Sequence, residues 1–267
     1  MDLITQRRGA LEYLTAPALS CGGAVHAFST RYGGVSSGHL SSLNLGTHRG
    51  DAPEHVWENY CILGAAVGFA PGQTVFTKQQ HTAIVRRVGA ADRGTGLLRE
   101  QTAVCDGLIT NEPDVALCCF GADCATILLY DPVRRAVGAV HSGWRGTAQG
   151  IAREAVLAME RAFGSNPADI RAAIGPSIGQ CCFETDEDVP AAMLASLGTE
   201  AEAHIERRGE KYFVDNKALC RLWLLHAGVR QIDLSCDCTR CQPDRFWSHR
   251  AAGNARGSLA GIIMLRP

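Results

Sequence analysis

The stretch GADCATILLYDPVRRAVGAVHSGWRG, from Gly121 to Gly146, decides how the rest of the chain reads. Two apolar runs, Ala125–Tyr130 and Ala136–Val140, flank the turn-forming residues Asp131, Pro132, Val133, Arg134 and Arg135, a pattern that predicts an antiparallel hairpin. Centring the turn between Pro132 and Val133 sets Tyr130 opposite Arg135 and, counting outward, Cys124 opposite His141. Cross-strand neighbours hold their Cβ atoms roughly 5 Å apart, so this register lets a thiolate and an imidazole share one metal ion or one proton. A slip of one residue would send one of the pair to the other face. After His141 come Ser142, Gly143, Trp144, Arg145 and Gly146, then Ala148, Ile151, Ala152, Ala155, Val156 and Met159 at helical spacing. The strand is expected to deliver its histidine beside a helix N-terminus, where free N–H groups favour an anion.

Upstream, Val25–Ser29 reads as a strand that enters a glycine-rich loop, Thr30 to Gly38, carrying Arg31. Such a loop is either a surface turn or a lip that lets backbone approach a ligand closely. Pro53 opens a helix with apolar residues at Val56, Ile62, Leu63 and Val67, closed by Gly68. Thr74–Lys78 and Ala83–Val88 are β-like with His81 between them, and Ala103–Thr110 and Asp114–Phe120 lead into the hairpin. Asp106, just before a glycine, reads as a turn residue. Downstream, the helix stops at Gly164, Ile170–Ile174 is a strand, Thr185–Leu197 a helix and Tyr212–Val214 a short strand. Asp215 caps a helix that runs to Ala227 and ends at Gly228, and Ile232–Leu234 and Leu259–Leu265 are further strands. No repeat, low-complexity linker or composition break divides the chain, so residues 1–267 read as one domain.

Charge adds little. With 26 basic and 27 acidic residues, nothing in the balance attracts nucleic acid or a membrane surface. No run approaches transmembrane length, and the first residues lack the pattern of a secretory signal, so a cytoplasmic location is the expectation. Twelve cysteines are many, but the adjacent pairs Cys118-Cys119 and Cys181-Cys182 argue against a disulfide framework. Cys21, Cys61, Cys105, Cys118, Cys119 and Cys220 read as small buried hydrophobes. Cys236, Cys238 and Cys241 offer three of the four ligands that a closed zinc site needs. The nearest histidine, His249, stands in a run heading toward a strand, which makes it a weak fourth.

Two chemistries fit the hairpin. Cys124 and His141 form a nucleophile and base, with Asp123 or Asp106 orienting the imidazole. Alternatively His81 joins them as a third ligand, and three protein ligands with one open position is the arrangement of a catalytic rather than a structural zinc. Arg145, between Gly143 and Gly146, is placed to grip phosphate with its planar fork, with Arg31 as a second clamp. The plainer alternative is that Arg145 pairs with a carboxylate and pins its loop.

Several motifs in fixed order carry a resemblance that covers nearly the whole chain. They are Arg31-x-Gly33-Gly34-Val35-Ser36, Leu43-Asn44-Leu45-Gly46, Lys78-Gln79-x-His81, Ala122-Asp123-Cys124, His141-Ser142-Gly143-Trp144-Arg145-Gly146, Gly175-Pro176-x-Ile178-Gly179, Cys182-Phe183-Glu184 and Phe246-x-Ser248-x-Arg250. The chain thereby resembles the laccase-domain family, whose members are described as purine nucleoside phosphorylases, earlier as multicopper polyphenol oxidases, and in some cases as peptidoglycan-editing factors.

The resemblance implies an α+β fold, a single-domain mixed-sheet sandwich flanked by helices, with zinc held by His81, Cys124 and His141. It implies Arg31, Asn44, Asp123 and Arg250 on the substrate side. It also implies phosphorolysis of adenosine, inosine, guanosine and S-methyl-5′-thioadenosine, plus deamination of adenosine, with purine nucleosides and phosphate as small-molecule partners and the oligomeric state left open. The alternatives are a metal-free cysteine hydrolase acting on cell-wall precursors, a copper-dependent polyphenol oxidase, and a metal-binding redox or regulatory protein without turnover. Cu²⁺ is the second candidate ion because it binds such ligands more tightly than Zn²⁺. The sequence departs from the family at Gln80 and Thr82, where valine and glycine are usual, and after Arg250, where the family's closing arginine is displaced or replaced by Arg256.

Overall fold

The computed structural model describes residues 1–267. In chain order its strands are β1 (Ile4–Arg8), β2 (Leu11–Thr15), β3 (Ala24–Ser29), β4 (Thr74–Phe76), β5 (Val85–Arg87), β6 (Gly107–Thr110), β7 (Ala116–Gly121), β8 (Ala125–Asp131) and β9 (Ala136–Ser142). They continue with β10 (Arg171–Ile174), β11 (Glu184–Thr185), β12 (Ile205–Arg208), β13 (Lys211–Val214), β14 (Gln231–Leu234) and β15 (Leu259–Leu265). The helices are α1 (Pro53–Val67), α2 (Trp144–Ala148), α3 (Ile151–Phe163), α4 (Asp188–Leu197), α5 (Asn216–His226) and α6 (His249–Ala252). One large sheet has the order β1-β2-β3-β15-β7-β4, the other β14-β10-β8-β9-β6-β5, and β11-β13-β12 form a small third. Both large sheets are mixed, because β4 runs parallel to β7, β5 to β6 and β10 to β14. This is the α+β sandwich that the sequence led us to expect.

Three apolar layers hold the sandwich together. Between the two large sheets lie Leu14, Phe28, Leu117, Leu128, Tyr130 and Ile263. Val56, Tyr60 and Leu63 of α1 cover the outer face of the first sheet, and α3, α4 and α5 cover that of the second. Strands buried on both faces read as unbroken apolar runs, which is why β8 and β9 stand out in sequence. Ile127 and Leu129 point to the helices, Leu128 and Tyr130 to the other sheet. The same alternation sends Cys118 to the layer under α1 and Cys119 to the layer between the sheets. Burial pushes both thiols up, Cys119 to about 12. Cys105 and Cys220 are buried as expected, whereas Cys21 is exposed in the glycine turn before β3 and Cys61 is half-buried on α1.

Two expectations around the hairpin need correction. Its register is Tyr130 with Val137 and Thr126 with His141, so Cys124 is not opposite His141. The loop is longer because the Asp131 carboxylate accepts from the N–H groups of Val133 and Arg134 and closes a turn, with Arg135 at φ 47°. The shift is two residues, an even number, so Cys124 stays on the face of His141 as its diagonal neighbour. The following helix is also not continuous. α2 ends at Ala148, Gly150 takes φ 75°, and α3 starts at Ile151, with the Trp223 ring 3.4 Å from where a Gly150 Cβ would be. α4 begins at Asp188 rather than Thr185, since Glu184 and Thr185 pair with β13. β1 and β2 were not expected, and β1 has no apolar face to announce it.

His26 of β3 supplies a pH test of this packing. Its Nε2 accepts the Ala16 N–H at 2.8 Å, and burial holds its pKa down at about 4 against an ordinary 6.5. Between those values the unfolded chain takes up a proton that the folded chain refuses, so stability present above pH 6.5 is lost as pH falls toward 4. The loss attached to this group is on the order of 3 kcal/mol. His26→Gln is expected to start less stable yet to give a flatter curve of melting temperature against pH across that window. Parallel curves for the two proteins would remove His26 as the source.

Candidate metal centre

The site is organised by a carboxylate that the sequence offered both as a turn residue and, beside Asp123, as one of two candidates to orient His141. Asp106 is fully buried just before β6. It accepts hydrogen bonds from the backbone N–H groups of Gln80 (3.1 Å), His81 (3.0 Å) and Thr82 (2.9 Å) and from the Thr82 hydroxyl (2.7 Å). Its Oδ1 also lies 2.8 Å from His141 Nδ1. Burial alone would raise its pKa, but these bonds, His141 and Thr82 foremost, hold it well below the usual carboxylate range. The three N–H groups are presented by a turn in which His81 adopts φ 59°. One carboxylate therefore sets the backbone that carries His81 and the ring that belongs to His141.

Cys124 completes the group from the loop between β7 and β8, following Asp123 at φ 93°. The ligand atoms of His81, Cys124 and His141 all lie within 4.8 Å of one another, and the two rings meet edge-on with centroids 4.9 Å apart. His141 is buried, which opposes its charge, but Cys124 and Asp106 together push its pKa up to about 9. Burial, helped by His141 and Arg145, lowers that of His81. The residues fit a metal ion. His81 Nδ1 is buried without a hydrogen-bond partner. Asp106 occupies His141 Nδ1 and leaves Nε2 for an ion, the outer-shell support that metal-binding histidines use. A Cβ on Gly143 would stand 2.2 Å from His81 Nδ1 and 3.2 Å from Cys124 Sγ, so the trio needs a glycine there.

The other expected site residues divide. Arg145 is exposed, lies 4.2 Å over the Trp144 ring and enters no ion pair. Arg31 is held by the chain itself, donating to the carbonyl oxygens of Ser41 (2.7 Å) and Pro243 (2.7 Å) while stacked 3.8 Å over Trp247. Asn44 is buried and saturated, bonding Asp51, Gly46 and the N–H of Ser258. The Asp123 carboxylate accepts from the Thr239 hydroxyl and the Arg250 N–H, both at 2.6 Å. The Arg250 guanidinium donates to the carbonyl oxygens of Cys182 and Glu184.

Sequence reading left Arg256 out of the site. Its pKa is lowered to about 10 by burial and by the neighbouring Arg49, while Asp123 and Cys124 act on it in the opposite sense. Only the displaced family arginine pointed toward it. A cleft of about 670 Å³ is lined by Arg49, Phe76, Lys78, Gln79, Phe120 and Ser258 among others, and none of the trio lines it.

Comparison with known proteins finds likeness over nearly the whole chain. Residues 25–266 match the family model described as multi-copper polyphenol oxidoreductase laccase. The chain is 36% identical over 246 residues to purine nucleoside phosphorylase YlmD of Bacillus subtilis (strain 168), covering 91% of this chain and 88% of that protein. It is 35% identical to purine nucleoside phosphorylase YfiH of Escherichia coli (strain K12), covering 91% and 94%. The crystal structure of YlmD from Geobacillus stearothermophilus superposes with a TM-score of 0.92 at 36% identity, covering 99% of this chain and 100% of that one.

Gly143→Ala tests the trio directly. Gly143 has φ −73°, which alanine adopts without strain, so the added methyl acts on its neighbours and not on the backbone. The variant is expected to fold, with unchanged far-ultraviolet dichroism, and to hold one metal equivalent per chain fewer than the parent by elemental analysis. Parental metal content would mean that His81 does not bind an ion from this position.

Proposed function

The chain belongs to the family of multi-copper polyphenol oxidoreductase laccases, and on that footing we propose that it is a zinc-dependent purine nucleoside phosphorylase. One observation carries the reading: two imidazoles and a thiol converge within 4.8 Å, with His81 Nδ1 left without a partner. The names of the relatives supply the substrate class. Two nitrogens and one sulfur with a fourth position open suit a catalytic zinc, and Cu²⁺ is the competing ion. Three side chains make a site for one ion, so the multi-copper description is not carried over to the reaction. When bound, the ion supplies Lewis acidity at the substrate.

The chain's own residues supply the rest. In phosphorolysis a phosphate oxygen bonds to the ribose C1′ as the C1′–N9 bond breaks, its electron pair leaving with the purine. Arg145 is assigned the phosphate, because its planar fork is unpaired and beside His81. Arg256, with Arg49 beside it, takes the place of Arg31 as the second cation, since the donors of Arg31 are engaged by Ser41 and Pro243. Asn44, Asp123 and Arg250 act on the substrate through the loops they hold. The substrates are adenosine, inosine, guanosine and S-methyl-5′-thioadenosine. Adenosine is also deaminated, with water oxygen bonding to C6 and ammonia leaving.

A second reading has its own observation. Cys124, His141 and Asp106 form a chain of contacts that a metal-free cysteine nucleophile, acting on cell-wall precursors, would also use. Metal removal separates the two. The chelated protein is expected to lose release of purine base and ribose 1-phosphate from inosine and to regain it with Zn²⁺; full turnover without metal would favour the cysteine hydrolase. Arg145→Lys tests the anion assignment. Replacing a planar fork by a point charge is expected to raise the phosphate KM roughly tenfold, with adenosine deamination much less affected. Equal losses in both reactions at parental zinc content would end the assignment of phosphate to Arg145.

A further inference from the structure

The cysteine motif Cys236-x-Cys238-x-x-Cys241 finds its missing partners in the other adjacent pair, not in His249. β10 and β14 run parallel side by side, and each leaves the sheet at the same end into a turn that carries two cysteines. Cys181 and Cys182 lie in a turn closed by the Cys182 and Phe183 N–H groups on the Gly179 carbonyl. Cys238 and Cys241 lie in a turn closed by Gln242 N–H on the Cys238 carbonyl. The turns are joined by a bridge between Ser177 and Cys238 and by Thr239 N–H on the Ser177 carbonyl at 3.1 Å. Cys236 points elsewhere, to the Asp2 carboxylate at 2.9 Å, and His249 Nδ1 meets the Gly253 carbonyl.

We propose that Cys181, Cys182, Cys238 and Cys241 form a second, structural metal site that binds Zn²⁺ as a tetrathiolate. The four sulfurs lie within 4.8 Å of one another, with Cys182 to Cys241 at 3.4 Å and Cys181 to Cys241 at 3.7 Å. A tetrahedron of Zn–S bonds about 2.3 Å long has edges of about 3.8 Å, whereas a disulfide needs sulfurs about 2.05 Å apart. The Gly179 N–H donates to Cys238 Sγ at 3.2 Å, a bond that favours a thiolate. Gly179 also leaves the space: a Cβ there would sit 3.3 Å from Cys181 Sγ and 3.3 Å from Cys238 Cβ. The buried Lys217 ammonium, bound to the Ser235 and Asp237 carbonyl oxygens, lies within electrostatic reach of Cys238 and offsets the excess negative charge of four thiolates on one dication. Four sulfur donors and no open position make the site closed and non-catalytic.

The site ties down the floor of the catalytic loop. The Ile178 N–H donates to the Asp123 carbonyl, Thr239 and Arg250 hold its carboxylate, and Arg250 reaches back to the Cys182 carbonyl. Clipping the two cysteine turns together therefore fixes the residue immediately before Cys124.

The test uses the full-length protein, purified without chelator. Elemental analysis is expected to find two zinc per chain, and X-ray absorption at the zinc edge a first shell of five sulfurs shared between two ions. Cys238→Ser and Cys241→Ser should each halve the zinc content, as should His81→Ala for the other site, and Cys241→Ser combined with His81→Ala should remove both ions. Should the serine variants fail to fold, the absorption spectrum of the parent protein still decides. A single zinc with an all-sulfur shell would support this site while refuting the trio as a zinc site. A single zinc with one sulfur and two nitrogens, iron in place of zinc, or a disulfide linking Cys241 to Cys181 or Cys182 would each overturn the proposal.

Discussion

The Asp106 carboxylate is the interaction on which the site depends. A buried carboxylate is costly unless its charge is met by donors, and here one imidazole, three consecutive N–H groups and a hydroxyl meet it. The bonds reach across three segments that no local pattern connects: the 80–82 turn, the start of β6 and the end of β9. Because the same group anchors the backbone of His81 and the ring of His141, neither can shift without disturbing the other. Asp123 plays a similar part for Cys124, with its carboxylate between Thr239 and Arg250.

Both anchored segments are held in conformations that side-chain-bearing residues rarely adopt. His81 at φ 59° and Asp123 at φ 93° are left-handed, a cost on the order of 1–3 kcal/mol each that survives only where surrounding bonds over-determine the backbone. The two turns bring an imidazole and a thiol to one point from opposite sides of β9. A relaxed extended backbone at either residue would redirect the chain and separate the donors.

Much of the fold was legible because its central strands are buried on both faces. The apolar runs of β7, β8, β9 and β15, and the caps at Gly68, Asp215 and Gly164, follow local rules of periodicity and termination. β1, with the sequence ITQRR, has no apolar face and is defined only by its pairing with β2. The hairpin register was missed because the Asp131 side chain closes a longer loop, yet the even offset kept Cys124 and His141 on one face. What remained hidden was the work of long-range bonds: the sequence offered Asp106 both as a turn residue and as one of two carboxylates to orient His141 without choosing, it left Arg256 out of the site, and no local spacing joins the cysteine pair at 181 and 182 to those at 238 and 241.

The position of β15 bears on how the chain is made. Leu259–Leu265 pairs antiparallel with β3 on one edge and β7 on the other, filling the middle of the first sheet. During synthesis, β1, β2, β3, β4 and β7 emerge long before the strand that joins their two halves. Until Leu265 has left the ribosome, two open strand edges face each other across a gap, and the layers under α1 and between the sheets lack Ile262 and Ile263. Unpaired edges of this kind invite pairing with other chains. The second sheet, whose central hairpin is local in sequence, can close much earlier. The first sheet thus stays in two halves until β15 is available to join them, while the hairpin of the second is already paired.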